Sequence, residues 1–124
     1  MAAPPIRIVV IDDSPLYRRT IRKILEKQPN LKIVAEAGDG VYGIQAVKTH
    51  KPDVVIMDVT LPILNGIEAT RRIKSRLPNV RVIILSMHDL ESISETAFKA
   101  GACRCLPKGC SPKEITEAIM TAGI

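Results

Sequence analysis

Short apolar runs and amphipathic stretches alternate along the whole chain, and that alternation predicts five β/α units. Ile6 to Ile11 reads as the first strand, Leu31 to Ala37 as the second, Asp53 to Met57 as the third, Arg81 to Leu85 as the fourth and Ala102 to Leu106 as the fifth. Between them apolar residues recur at helical spacing. Leu16, Tyr17, Thr20, Ile21, Ile24 and Leu25 make the first helix until Pro29-Asn30 ends it, and Val41, Ile44 and Val47 mark a second from Gly40 to His50. Ile67, Thr70, Ile73 and Leu77 run up to Pro78-Asn79, and Leu90, Ile93, Ala97 and Ala100 run up to a capping Gly101. The fifth helix opens with Ser111-Pro112-Lys113-Glu114, a capping box with proline in the first turn, and turns Ile115, Ala118, Ile119 and Ala122 inward. The third strand is apolar throughout its middle, as a parallel strand covered by helices on both faces should be. The expected fold class is α/β, a doubly wound five-stranded parallel sheet of order 2-1-3-4-5 with five helices, one domain over 1–124.

Most of these runs stop on a residue able to do chemistry. Asp12 and Asp13 follow the first, Asp58 the third, Ser86 the fourth, and Lys108 stands just beyond the fifth. Parallel strands carry all of them to one sheet edge, and in open α/β sheets the ligand crevice lies outside the carboxyl ends, where strand order reverses. Strands one and three flank that point, so Asp12 and Asp13 come beside Asp58. Three neighbouring carboxylates repel and resist ionising unless a cation sits among them. A hard divalent ion, Mg2+ or Mn2+, suits such oxygen ligands and keeps positions for a phosphoryl group. Lys108 and Ser86 can then meet the other phosphoryl oxygens. Asp58, alone at the end of the central strand, is the expected acceptor, and its attack on phosphorus gives an acyl phosphate.

Composition narrows the alternatives. No apolar run reaches the roughly 18 residues of a membrane span, and the Met1 to Pro5 start carries no signal-peptide pattern, so a cytoplasmic location is expected. The net charge of +5 raises nucleic-acid binding. Arg18, Arg19, Arg22, Lys23 and Lys27 on the first helix, and Arg71, Arg72, Lys74 and Arg76 on the third, instead read as solvated faces, since stacking aromatics are scarce. Cys103, Cys105 and Cys110 are an odd set that suggests small core residues, with Cys103 and Cys105 on one strand face.

At its polar strand ends the chain resembles the receiver domains of bacterial two-component response regulators. The resemblance rests on Val10-Ile11-Asp12-Asp13-Ser14, on Ile56 to Pro62 with Asn65-Gly66-Ile67-Glu68, on Ile83 to Ser86, and on Gly101-Ala102 leading to Leu106-Pro107-Lys108. It implies a flavodoxin-like fold and phosphorylation of Asp58 by a sensor histidine kinase. It also implies magnesium held by Asp12 or Asp13, Asp58 and the backbone carbonyl of Thr60, with Ser86 and Lys108 sensing the phosphoryl group. Ser86-Met87-His88-Asp89 and Lys108-Gly109-Cys110-Ser111-Pro112 are most similar to receivers of LuxR/NarL/FixJ-type transcription factors, where DNA is met only through a helix-turn-helix output domain. The readings are a fragment of such a factor, which is favoured, or a stand-alone receiver acting through protein contacts, with a homodimer formed on phosphorylation. Three positions depart from the usual pattern: Cys105 replaces an aromatic, Gly109 replaces a proline after the lysine, and Leu61 replaces a methionine.

Two rival readings are weaker. Gly38-Asp39-Gly40-Val41-Tyr42-Gly43 matches a dinucleotide fingerprint, but on an edge strand away from the switch point, so a turn and helix cap are expected. A magnesium-dependent phosphatase with an aspartyl-phosphate intermediate would need a second Asp where Thr60 stands, so a switch rather than an enzyme is expected.

Overall fold

The computed structural model describes residues 3–122; Met1-Ala2, part of the segment read for a signal peptide, and Gly123-Ile124 lie outside them. Ten elements alternate: β1 (Ile6–Ile11), α1 (Pro15–Glu26), β2 (Leu31–Ala37), α2 (Gly40–His50), β3 (Val54–Asp58), α3 (Gly66–Arg76), β4 (Arg81–Ser86), α4 (Leu90–Ala100), β5 (Arg104–Pro107) and α5 (Pro112–Thr121). All strand pairs are parallel and the order is β2-β1-β3-β4-β5, the order expected from the sequence.

Alternation along each strand divides the core in two. Val9, Ile11, Val55, Met57, Val82 and Ile84 face Val47 of α2, Ala69 and Ile73 of α3 and Ala97 of α4. Ile8, Val10, Ile56, Ile83 and Leu85 face Ile21 and Leu25 of α1 and Ile115 and Ile119 of α5. Burial on both faces is why these strands carry apolar residues without a break. Helix starts are set locally: Ser14, Asp39, Asn65, Asp89 and Ser111 each accept a backbone N–H of the following turn, and Ser111 with Glu114 completes the capping box.

Several expectations need correction. β3 runs Val54–Asp58 rather than from Asp53 to Met57 and β4 ends one residue later, so Asp58 and Ser86 belong to the ladder, and β5 runs Arg104–Pro107 rather than from Ala102 to Leu106. Leu16 is 70% exposed, because Ile21 and Leu25 already fill the strip of α1 that meets the sheet. Cys103 packs toward α1 and α5 but Cys105 toward α2, α3 and α4, since strand alternation starts only after Cys103. Two cations assigned to solvated faces turn inward. Arg18 reaches the Asp12 carbonyl and Glu36, and the Lys74 ammonium donates to the Pro78 and Val80 carbonyls. The dinucleotide-like stretch holds the expected helix cap, Asp39, and two of its glycines also serve packing: a Cβ on Gly40 would lie 2.3 Å from the Leu64 carbonyl oxygen, and one on Gly43 2.7 Å from Ile11.

Candidate functional site

Register makes the carboxyl ends of the strands level: Ile11 pairs with Met57, Asp58 with Leu85 and Ser86 with Pro107. Asp12 therefore emerges beside Asp58, while Ser86 and Lys108 arrive from the two strands beyond. Of the expected residues, Asp12, Asp58 and Ser86 are buried and Asp13 and Thr60 are exposed.

Local bonds hold each side chain. The Asp12 carboxylate accepts the Ser14 N–H at 2.9 Å through Oδ1 and contacts Lys108 Nζ at 2.7 Å through Oδ2. Asp58 accepts the Thr60 N–H at 3.2 Å through Oδ1, and its Oδ2 lies 3.3 Å from the same Nζ. Behind Asp58 the chain passes so close to α3 that a Cβ on Gly66 would stand 1.9 Å from the Asp58 carbonyl oxygen. Glycine is thus required by close approach, and the Gly66 N–H donates to the Val59 carbonyl at 2.8 Å. Lys108 is anchored by its N–H to the Ser86 carbonyl at 2.9 Å, in a loop closed by the Cys110 N–H on the Pro107 carbonyl at 3.0 Å. Ser86 Oγ accepts the His88 N–H at 2.9 Å, which leaves the hydroxyl proton free to donate elsewhere. At the rim Thr60 Oγ1 and His88 Nε2 share a hydrogen bond of 2.9 Å.

One ammonium serves two buried carboxylates. Burial, then the charge of Asp12, holds the Asp58 carboxyl above its ordinary range, although Lys108 and the Thr60 N–H pull the other way. Burial works against the Lys108 ammonium too, but its hydrogen bond to Asp12 and the charges of Asp12 and Asp58 outweigh it and move Lys108 upward. The shorter contact gives Lys108 to Asp12, so Asp58 is left incompletely neutralised. Oxygens of Asp12, Asp13 and Asp58 lie within 4.8 Å of one another, the one such group of possible metal ligands among the described residues. Closely spaced oxygens with more negative charge than Lys108 can balance fit a hard divalent cation that retains open positions.

Two residues here escaped the reading of the sequence. Tyr17, counted there only as an apolar position of α1, lies with its ring centroid 4.6 Å from Lys108 Nζ and donates its hydroxyl to the Lys108 carbonyl at 3.3 Å. Burial, followed by Cys110, Asp12 and Asp58, pushes its phenol up to about 12. Arg18, counted as a surface charge, donates to the Asp12 carbonyl at 2.5 Å and pairs with Glu36 at 3.3 Å. A tyrosine and an arginine in the first turn of the helix that follows the acidic doublet were the available signal.

The family model described as "Response regulator receiver domain" matches residues 8–120. Among curated proteins, the chain is 40% identical to the transcriptional regulatory protein DegU of Brevibacillus brevis over 92% of its own length and 48% of that protein's. It is 37% identical to the response regulator UvrY of Escherichia coli K12, over 92% and 52%. The chain thus spans about half the length of these relatives. A protein-glutamate methylesterase/protein-glutamine glutaminase of Nitrosospira multiformis matches at 39% identity over 83% of this chain but 30% of that protein, so one module is shared by proteins with different names. Among solved structures, a NarL signal receiver domain from Mycobacterium tuberculosis aligns with a TM-score of 0.93 at 30% identity, covering 98% of both chains. A LuxR-family two-component response regulator from Aurantimonas aligns at 0.89 and 37% identity, covering 94% of this chain and 83% of that one.

Proposed function

The chain belongs to the response regulator receiver family and is a receiver domain of the two-component type, and from that premise we propose that Asp58 is its phosphoryl acceptor. The observation that carries the reading is the buried Asp58 carboxylate, its oxygen within 4.8 Å of those of Asp12 and Asp13 and its other flank against Lys108. Asp12, Asp13, Asp58 and the Thr60 backbone carbonyl would hold Mg2+ or Mn2+. That ion supplies positive charge beside the transferring group and lets a carboxylate and a phosphoryl anion approach.

An Asp58 oxygen attacks phosphorus, and the bond from phosphorus to the donor breaks with its electron pair leaving on the donor. The product is an acyl phosphate. Lys108 exchanges its contact with Asp58 for a phosphoryl oxygen, and Ser86 donates its free hydroxyl proton to another. Movement of Ser86 and its loop alters the face of α4, β5 and α5, which favours a homodimer. The donor is a sensor histidine kinase. The longer regulators similar to this chain support control of transcription through a fused DNA-binding domain of a cytoplasmic protein, with the receiver occupying 1–124 and itself making no direct contact with DNA or membrane.

Incubation with acetyl phosphate and Mg2+ should add one phosphoryl group per chain, seen in the intact mass. Asp58→Ala should remove it. Undiminished labelling of that variant would sink the assignment, and many turnovers of a phosphate ester would favour a phosphatase. Sedimentation velocity with and without a phosphoryl analogue tests the dimer.

A further inference from the structure

Lys108 is held at both ends by one residue outside the acidic cluster. The Tyr17 ring lies 4.6 Å from Nζ at its centroid, and the Tyr17 hydroxyl donates to the carbonyl of the same lysine at 3.3 Å. Tyr17 is itself fixed by the helix cap, its N–H on Ser14 Oγ at 3.1 Å, while the Ser14 N–H donates to Asp12 Oδ1 at 2.9 Å. Asp12 Oδ2 then returns to Lys108 Nζ at 2.7 Å. The path Asp12, Ser14, Tyr17, Lys108 and back to Asp12 closes a ring of contacts between α1 and the β5–α5 loop.

We propose that Tyr17 is a positioning residue for the phosphoryl-transfer reaction, holding the Lys108 ammonium over the Asp58 carboxylate before the phosphoryl group arrives. This rests on the reading of Asp58 as acceptor. A lysine side chain has a flexible four-carbon stem and a compact charge that water solvates well, so a partly exposed one samples many positions. The ring removes one side of that freedom by cation–π attraction, which strengthens as water is excluded. The hydroxyl fixes the backbone from which the side chain starts. Asp12 alone fixes neither, because its contact is with the charged tip. A preplaced cation accelerates transfer since it needs no reorganisation as charge develops.

Two measurements test this, both on the full chain. In the first, phosphorylation by acetyl phosphate with Mg2+ is followed for wild type, Tyr17→Leu and Tyr17→Phe. The leucine variant should label about three- to tenfold more slowly, the span of a partly desolvated cation–π contact. The loss should fall in the maximum rate rather than in the half-saturating acetyl phosphate concentration, and phenylalanine, which keeps the ring, should restore most of it. In the second, Tyr42→Phe leaves Tyr17 as the sole tyrosine of a chain without tryptophan. Its emission should change when Lys108→Ala removes the ammonium from the ring face, a response that mere packing does not give and that needs no activity. Wild-type labelling rates in Tyr17→Leu, or identical Tyr17 emission with and without the lysine, would overturn the proposal. A wild-type chain that takes no phosphoryl group at all would instead overturn the reading of Asp58.

Discussion

The two edges of the sheet differ in how their polar groups are used. At the amino edge lies a cavity of about 690 Å³ lined by Lys51, Asp53, Arg76 and Arg81 among apolar residues. Asp53, the carboxylate in that lining, accepts the Arg7 N–H at 2.9 Å, its own N–H donates to the Arg7 carbonyl, and the Arg7 guanidinium donates to the Lys51 carbonyl at 3.1 Å. Polar groups there stitch strand starts together. At the carboxyl edge Asp12, Asp13 and Asp58 converge with Lys108 as the ammonium between the two buried ones. Size of a concavity therefore says less about chemistry than whether its charged side chains converge on one another.

The sharpest way to break the comparison is one Asp→Asn exchange at each edge. Asp58→Asn should abolish phosphoryl labelling, while Asp53→Asn, which keeps an acceptor for the Arg7 N–H, should leave labelling intact and change stability by no more than about 0.5 kcal/mol. Loss of labelling in both would erase the distinction. Next in size is Gly66→Ala. A methyl group aimed at the Asp58 carbonyl from 1.9 Å must displace backbone, and about 2–3 kcal/mol of stability should be lost in denaturant melts.

Charge convergence at the carboxyl edge also predicts a dependence of stability on pH and on divalent ions. Asp58 titrates above its unfolded value, so the fold favours its protonated form. Its favourable contribution is complete below the unfolded value and is lost as pH rises through the raised folded value. Over that window the wild type should lose stability relative to Asp58→Asn. Above it, Mg2+ should raise the wild-type melting point, by about 2.7 kcal/mol equivalent at about 100 times its Kd, and should do so far less for Asp58→Asn. Calorimetry across pH with and without the ion measures both. The smallest effect concerns strain. Ile63, in the β3–α3 loop, is β-branched, 80% exposed and left-handed at φ 71°, whereas Lys51 at φ 47° occupies the C-cap of α2, where left-handed backbone is common. Ile63→Gly should stabilise by about 1 kcal/mol in the same melts, since so exposed a side chain gives up little burial when it is removed.

Most of the sheet was legible because its signals are local. Apolar runs, Ser111 as a cap, and Pro29 or Gly101 as stops act within a few residues, and parallel pairing then leaves few windings. The same logic placed Asp12, Asp58, Ser86 and Lys108 at one edge before any distance was known. Strand ends were less clear, since Asp58 and Ser86 are polar yet complete the ladder. Leu16 read as core and Arg18 as surface for a related reason: helical spacing tells which residues share a face, but not how wide a strip the sheet covers.

The sequence by itself determined the β/α alternation, the strand order and the convergence of three carboxylates with one lysine, because each follows from periodicity and connection rules acting along the chain. Only the tertiary structure decided that Lys108 leans to Asp12 rather than Asp58, that Tyr17 lies against it, and that Gly66 must yield to the Asp58 carbonyl. Those outcomes depend on side chains far apart in the chain, Tyr17 and Lys108 being separated by 91 positions, or on the close passage of one backbone past another. Such approaches are fixed by packing around a finished core, and no local pattern encodes them.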